Sequence, residues 1–119
     1  MGRCQIADVT AWSDRELWSS CFAAQVVGTT GSGDTTIAGF LLGLLHAMTP
    51  EATLSAACAV GACSVEAVDS LSGVRSWSET KARLAAGWAR LPVALDTSNL
   101  GWCWDTDHDL WIGRMDASR

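Results

Sequence analysis

A tight glycine turn that runs straight into an apolar helix constrains this chain more than any other feature. In Gly28-Thr29-Thr30-Gly31-Ser32-Gly33-Asp34-Thr35-Thr36-Ile37-Ala38-Gly39-Phe40-Leu41, a β-branched pair, Val26-Val27, leads into Gly28, and helical spacing begins just past the aspartate. The reading is a strand, a turn, and a helix whose first turn begins at Asp34. Glycines at 31 and 33 let consecutive backbone N–H groups point into one concavity. The unsatisfied N–H groups and positive dipole end of the helix add to it, making a site suited to an oxyanion or phosphate. A carboxylate at Asp34 is stabilised in the same place and can accept a proton from a hydroxyl held nearby. Gly-Ser-Gly-Asp by itself also serves ordinary loop and N-cap chemistry. No Lys-Ser or Lys-Thr follows, so the turn is not a Walker loop, and the dinucleotide spacing is absent too.

The rest of the chain divides into thirds. Thr35 to Met48 carries Ile37, Phe40, Leu41, Leu44 and Leu45 on one helical face. Thr49 as N-cap, Pro50 at the first position and Glu51 in the first turn start a second helix over 50–67. Its Ala, Cys, Gly and Val side chains predict close packing and burial. Ser76-Trp77-Ser78-Glu79 has capping-box spacing and opens a third helix that ends near Leu91, before Pro92. Before the glycine turn the chain reads as strands: Gln5–Thr10, then Glu16–Ser19 and Phe22–Val27, with a turn at Ser13-Asp14. After Pro92, Val93–Leu100 reads as a loop. Leu100–Trp104 and Leu110–Gly113 read as a hairpin around the acidic turn 105–109. Three of the seven tryptophans fall in this tail, which is expected to dock on an apolar surface.

Composition narrows the function classes. The 119 residues suit one modest domain or a piece of a larger one. A net charge of −5, with scattered basic residues of which one is Lys, argues against a nucleic-acid or anionic-membrane partner. The longest apolar run, Ile37–Leu45, falls well short of the about 20 residues a bilayer-spanning helix needs. The N-terminus lacks the apolar core of a secretory signal and the pattern for myristoylation. Five cysteines without a CxxC pair fit reduced, mostly buried thiols in a cytoplasmic protein. Asp105, Asp107, Asp109 and Asp116 echo a calcium loop, but Leu110 stands where glycine is required, so a solvated acidic turn is expected. His46, His108 and the Cys58/Cys63 pair lack metal-ligand spacing, and no metal ligand is assigned. Trp77 and Trp88 read as packing residues.

The longer pattern Thr29-x-Gly31-Ser32-Gly33-Asp34-x-x-x-Ala38-Gly39-Phe40-Leu41 resembles the C-terminal signature of the PfkB/ribokinase family of carbohydrate kinases. The resemblance runs through the Pro50 helix to Ala57-Cys58-Ala59-Val60-Gly61-Ala62 and on to Ser72-Gly73, covering about positions 20–76. It implies an α/β chain that is the C-terminal portion of a ribokinase-like layered fold, here residues 1–92, followed by a Trp-rich tail, 93–119. It also implies phosphorylation of a sugar or sugar-like hydroxyl by ATP with Mg2+. Asp34 matches the family's catalytic base, and Gly31, Ser32 and Gly33 match its anion hole. Helix 50–67 and the Ser72-Gly73 loop would border adenine and ribose, making Cys58 and Gly73 nucleotide-binding positions. Cys58 replaces a frequent Asn, and Gly28 replaces an acid that in many members helps bind a monovalent cation, so potassium activation is not carried over. The sugar-binding lobe, its lid and an upstream acidic motif have no counterpart. An isolated chain of this kind is expected to be inactive and to expose apolar surface, with a homodimer expected of the full-length protein. The alternative is a non-catalytic phosphate- or nucleotide-binding or interaction module derived from such a kinase.

Overall fold

The computed structural model describes residues 8–69, 71–91 and 101–118. In chain order the elements are α1 (Val9–Trp12), β1 (Leu17–Trp18), α2 (Ser32–Leu45), α3 (Pro50–Ser64), α4 (Trp77–Ala85), β2 (Cys103–Asp105) and β3 (Leu110–Ile112). This mixture of helices and a small sheet accords with the α/β class. None of the described helices is long and apolar enough to cross a membrane.

The helices α2 and α3 form the centre. Gly31 takes the left-handed conformation (φ 77°) that launches α2, a geometry costly for any residue with a Cβ. At the far end the Met48 N–H donates to Gly43 O (3.0 Å), closing the helix so that the chain reverses into α3. Thr49 accepts from the Ala52 N–H and Pro50 occupies the first turn, as the sequence predicts. The two helices approach closely because the facing residues are small. A Cβ on Gly43 would lie 2.6 Å from Thr53 Cγ2, and one on Gly61 would collide with Thr36 Oγ1. Most of α3 from Ala56 to Ser64 is buried. The outer face of α2 leaves Ile37, Leu41 and Leu45 exposed.

Against α3 packs an aromatic layer. Phe22 and Trp88 stack with centroids 4.7 Å apart, joined by Ala59 and Ala62, and the Trp88 indole N–H donates to Ala23 O at 2.6 Å. The Arg83 guanidinium lies 3.6 Å from the Trp88 ring and that of Arg90 lies 4.4 Å from Phe22.

The expected hairpin forms, with β2 and β3 antiparallel and Trp104 opposite Trp111. Its outer partner is β1, from the first third of the chain, giving the antiparallel order β1-β3-β2. Leu110 is completely buried there. The tail is tied down by Asp116, whose carboxylate accepts from Arg15 Nε (3.0 Å), the Glu16 N–H (2.8 Å) and the Ser118 N–H (2.8 Å). Arg15 also pairs with Glu51 on the first turn of α3.

Several expected elements differ. The Gln5–Thr10 strand lies partly outside the described residues, and Val9–Thr10 instead begin a helical turn. Asp8 caps that turn by accepting from the Ala11 N–H (3.1 Å), so a local side-chain bond outweighs the β-branched composition. Phe22–Val27 is not a strand of a ladder. It makes one bridge, Phe22 with Arg90, and the Val27 N–H then donates to Val65 O at the end of α3. The helix α2 begins at Ser32, before Asp34, and ends at Leu45, while α3 stops at Ser64 and not at 67. α4 stops at Ala85, well before Leu91, because Gly87 adopts a left-handed φ of 87° that ends the helix. Pro92, the Val93–Leu100 loop and the 92/93 boundary lie outside the described residues.

Candidate functional site

The first turn of α2 holds most of the residues singled out by the sequence. The Ser32 N–H and Oγ both donate to Thr29 O (3.2 and 2.9 Å), which locks the turn, and the Thr35 N–H donates to Gly31 O (3.0 Å). The Thr35 and Thr36 hydroxyls donate back to Ser32 O (3.0 and 2.7 Å). The N–H groups of Gly33 and Asp34 have no partner among the described residues, as expected at a helix N-terminus without a side-chain cap. The Asp34 carboxylate is exposed and likewise forms no hydrogen bond or ion pair. Two donors and a free carboxylate therefore share the positive end of a 14-residue helix. The expected third donor, the Ser32 N–H, is already spent on Thr29.

Gly33 needs a separate explanation. Its φ is not left-handed, and a Cβ there would meet nothing within 4 Å. Glycine at a helical position costs about 1 kcal/mol against alanine. Nothing among the described residues demands it.

Cys58 lines a pocket of about 270 Å³ with Phe22, Ser32, Thr36, Ala62 and Val65. Burial pushes the Cys58 thiol up, opposed by a hydrogen bond with Ser19. The pocket is mainly apolar and reaches the glycine turn through Ser32. Gly73 lies elsewhere, in a polar groove of about 470 Å³ with Glu66, Ser72, Arg75 and Glu79. A Cβ on Gly73 would collide with Cys63 O and stand 2.9 Å from Ser64 O, so this glycine lets the loop fold onto the end of α3. Arg83 holds the Glu66 carboxyl below the usual carboxylate range through a bidentate pair (2.5 and 3.0 Å). The structure thus joins Ser32 to Cys58 in one pocket and places Gly73 in a separate groove. Thr36, one turn beyond Ser32, was legible from its i,i+4 spacing on the same helix face. Phe22 enters only through tertiary packing.

Charge around the turn is distinctive. No Lys or Arg occurs between Arg15 and Arg75, so neither the turn nor the helices α2 and α3 carry a cationic Lys or Arg of their own. At the acidic turn, His108 Nδ1 and Asp105 lie 2.7 Å apart. Among the described residues, no group of three or more His, Cys, Asp or Glu could hold a metal ion.

A family model described as pfkB family carbohydrate kinase matches residues 9–76, more than half of the chain, including the glycine turn, α2 and α3. No curated protein and no solved structure matches it.

Proposed function

The chain belongs to the pfkB family of carbohydrate kinases, and on that premise we propose that the first turn of α2 carries the phosphoryl-transfer step. A sugar hydroxyl oxygen attacks the γ-phosphorus of ATP, its proton passes to the Asp34 carboxylate, and the bond to the ADP oxygen breaks. The backbone N–H groups of Gly33 and Asp34 stabilise the charge spreading over the transferred group. One observation carries this reading: unpartnered N–H groups and an unpartnered carboxylate share one exposed helical turn, beside a glycine that local packing does not require. Mg2+ would arrive on the triphosphate, and no residue of the chain is assigned to hold it. There it would supply charge that neutralises the phosphate oxygens, while the Asp34 carboxylate stays free to take the proton. Adenine would lie in the pocket beside Cys58, and Gly73, in its separate groove, would act only by letting the loop fold onto the end of α3. Gly28 offers no carboxylate to a monovalent cation. The sugar would be held by chain outside the residues described, in a cytoplasmic, homodimeric full-length protein.

The test is steady-state kinetics of the full-length protein with a panel of sugars, comparing the parent with Asp34→Asn. Turnover falls by about 10²–10⁴-fold if Asp34 is the base. ATP affinity holds or rises, because a carboxylate beside the phosphates has been neutralised. Near-normal turnover removes Asp34 from the mechanism. ATP binding without turnover in the parent assigns the chain to a non-catalytic nucleotide-binding module.

A further inference from the structure

Three half-buried arginines anchor this molecule, and two of them are neutralised. Arg15 pairs with Glu51 and Asp116, and Arg83 pairs with Glu66. Arg90 has no ion pair among the described residues, although burial is the main influence on its guanidinium and pushes its pKa down. Its Nη1 donates to Ser19 Oγ (2.6 Å) and its Nη2 to Ser55 Oγ (2.8 Å). Asp109 acts on it through space without reaching it. A guanidinium carries five N–H donors, so Arg90 keeps donors that nothing among the described residues accepts. An uncompensated charge taken partly out of water is costly, and an anion recovers that cost.

The surroundings of Arg90 suit such an anion. It lines an open groove of about 440 Å³ between α3 and α4 with Ser55, Trp77, Lys81, Leu84 and Met48. That volume lies in the range of small-molecule sites. Lys81, also without an ion pair among the described residues, stands 5.8 Å from the Trp77 ring centroid. Ser55 Oγ accepts from Arg90, which leaves its own proton free to donate. No carboxylate lines the groove, in a chain whose acids outnumber its bases thirteen to eight. The remaining walls are apolar.

We infer that the α3–α4 groove binds a small organic carboxylate, its charged end held by Arg90, Ser55 and Lys81 and its apolar body lying against Trp77 and Leu84. The site is separate from the glycine turn and does not depend on the kinase reading. A fork-shaped guanidinium matches a carboxylate in two parallel hydrogen bonds, and the ammonium adds a point charge at the rim.

Benzoate is the probe, with acetate and benzyl alcohol as controls, titrated by calorimetry into the whole chain. Benzoate binds more tightly than acetate, which lacks the apolar body, and than benzyl alcohol, which lacks the charge. Lys81→Gln, at an exposed position, weakens benzoate by about 2- to 5-fold, and Arg90→Gln weakens it by more than about 10-fold. Because Arg90 also packs on Phe22, Ser55→Ala with Lys81→Gln tests the site with the guanidinium and that contact kept, and the pair weakens benzoate more than either alone. Equal binding of benzyl alcohol and benzoate overturns the inference. So does benzoate affinity that is unchanged in the double variant.

Discussion

The α2–α3 pair and the three-stranded sheet are held together by opposite means. From Ser32 to Ser64 the only charged side chains are Asp34 and Glu51, and the helices meet through Gly39, Gly43, Gly61 and small partners. The sheet has strands of only two or three residues, too short to be stable by pairing alone. It is secured by one buried carboxylate, Asp116, reaching Arg15 and through it Glu51. Steric closeness builds the first region and charge builds the second. The comparison also explains why the free donors sit where they do. A helix pair packed on small residues holds its N-terminus rigidly without drawing any side chain across it.

Removing Asp116 should have the largest effect on stability. Its side chain is fully buried, and taking one partner from a buried ion pair costs about 3–5 kcal/mol. In Asp116→Ala, hydrogen exchange should show the amides of β1, β2 and β3 losing protection while those of α2 and α3 keep theirs. Equal loss across both regions would mean the two are one cooperative unit and break the distinction.

Gly43→Ala should do the reverse. The new methyl would press on Thr53 at 2.6–2.9 Å, and overpacking of this kind costs about 1–3 kcal/mol. Denaturant melts should show the helices destabilised, with the Trp104–Trp111 contact in the sheet retained. A neutral substitution would show that the helices can separate freely, and closeness would then not be what holds them.

Acid should separate the regions without mutation. Burial opposes ionisation of Asp116, but hydrogen bonds from Ser118, the Glu16 N–H and Arg15 outweigh it and lower its pKa to about 2. A depressed carboxylate stabilises the fold above its unfolded pKa of about 4 and loses that contribution as pH falls through the folded value. Sheet protection should therefore fade between about pH 4 and 2, and this fading should be absent from Asp116→Ala.

The smallest expected effect lies in the β2–β3 turn. The hydrogen bond with Asp105 raises the His108 pKa, against some desolvation. Its stabilisation is complete below the unfolded value of about 6.5 and is lost as pH rises through the higher folded value. The His108 ring is exposed and screened by water, so the effect should stay under about 1 kcal/mol. An NMR titration should place the His108 pKa above 6.5 in the parent and lower in Asp105→Asn.

Legibility in the sequence followed the range of the interactions. The Thr49-Pro50 start of α3, the Ser76 cap of α4 and the hairpin around 105–109 were readable because each depends on residues a few positions apart. The helical turn at Val9–Trp12 was misread because one capping bond from Asp8 outweighed composition. Phe22–Val27 was misread because its β-branched pair Val26-Val27 suited a strand, whereas the segment makes one bridge, Phe22 with Arg90, and its Ala23 and Val27 N–H groups go to Ala89 O and Val65 O. At the candidate site, the turn at Gly31–Asp34 was readable as a local motif. The pocket joining Ser32 to Cys58 was readable only in part, through helical spacing.

The sequence by itself determined the helix starts, the glycine turn, the acidic hairpin loop and the family, because each rests on caps, spacing or backbone freedom within a short stretch. Only the tertiary structure decided that β1 pairs with β3, that Asp116 closes onto Arg15 across about a hundred residues, and that Arg90 lies beside Lys81 without a counter-ion among the described residues. The pairing of distant charges and edges depends on how the whole chain folds back on itself, and no local pattern of residues encodes which distant group will arrive.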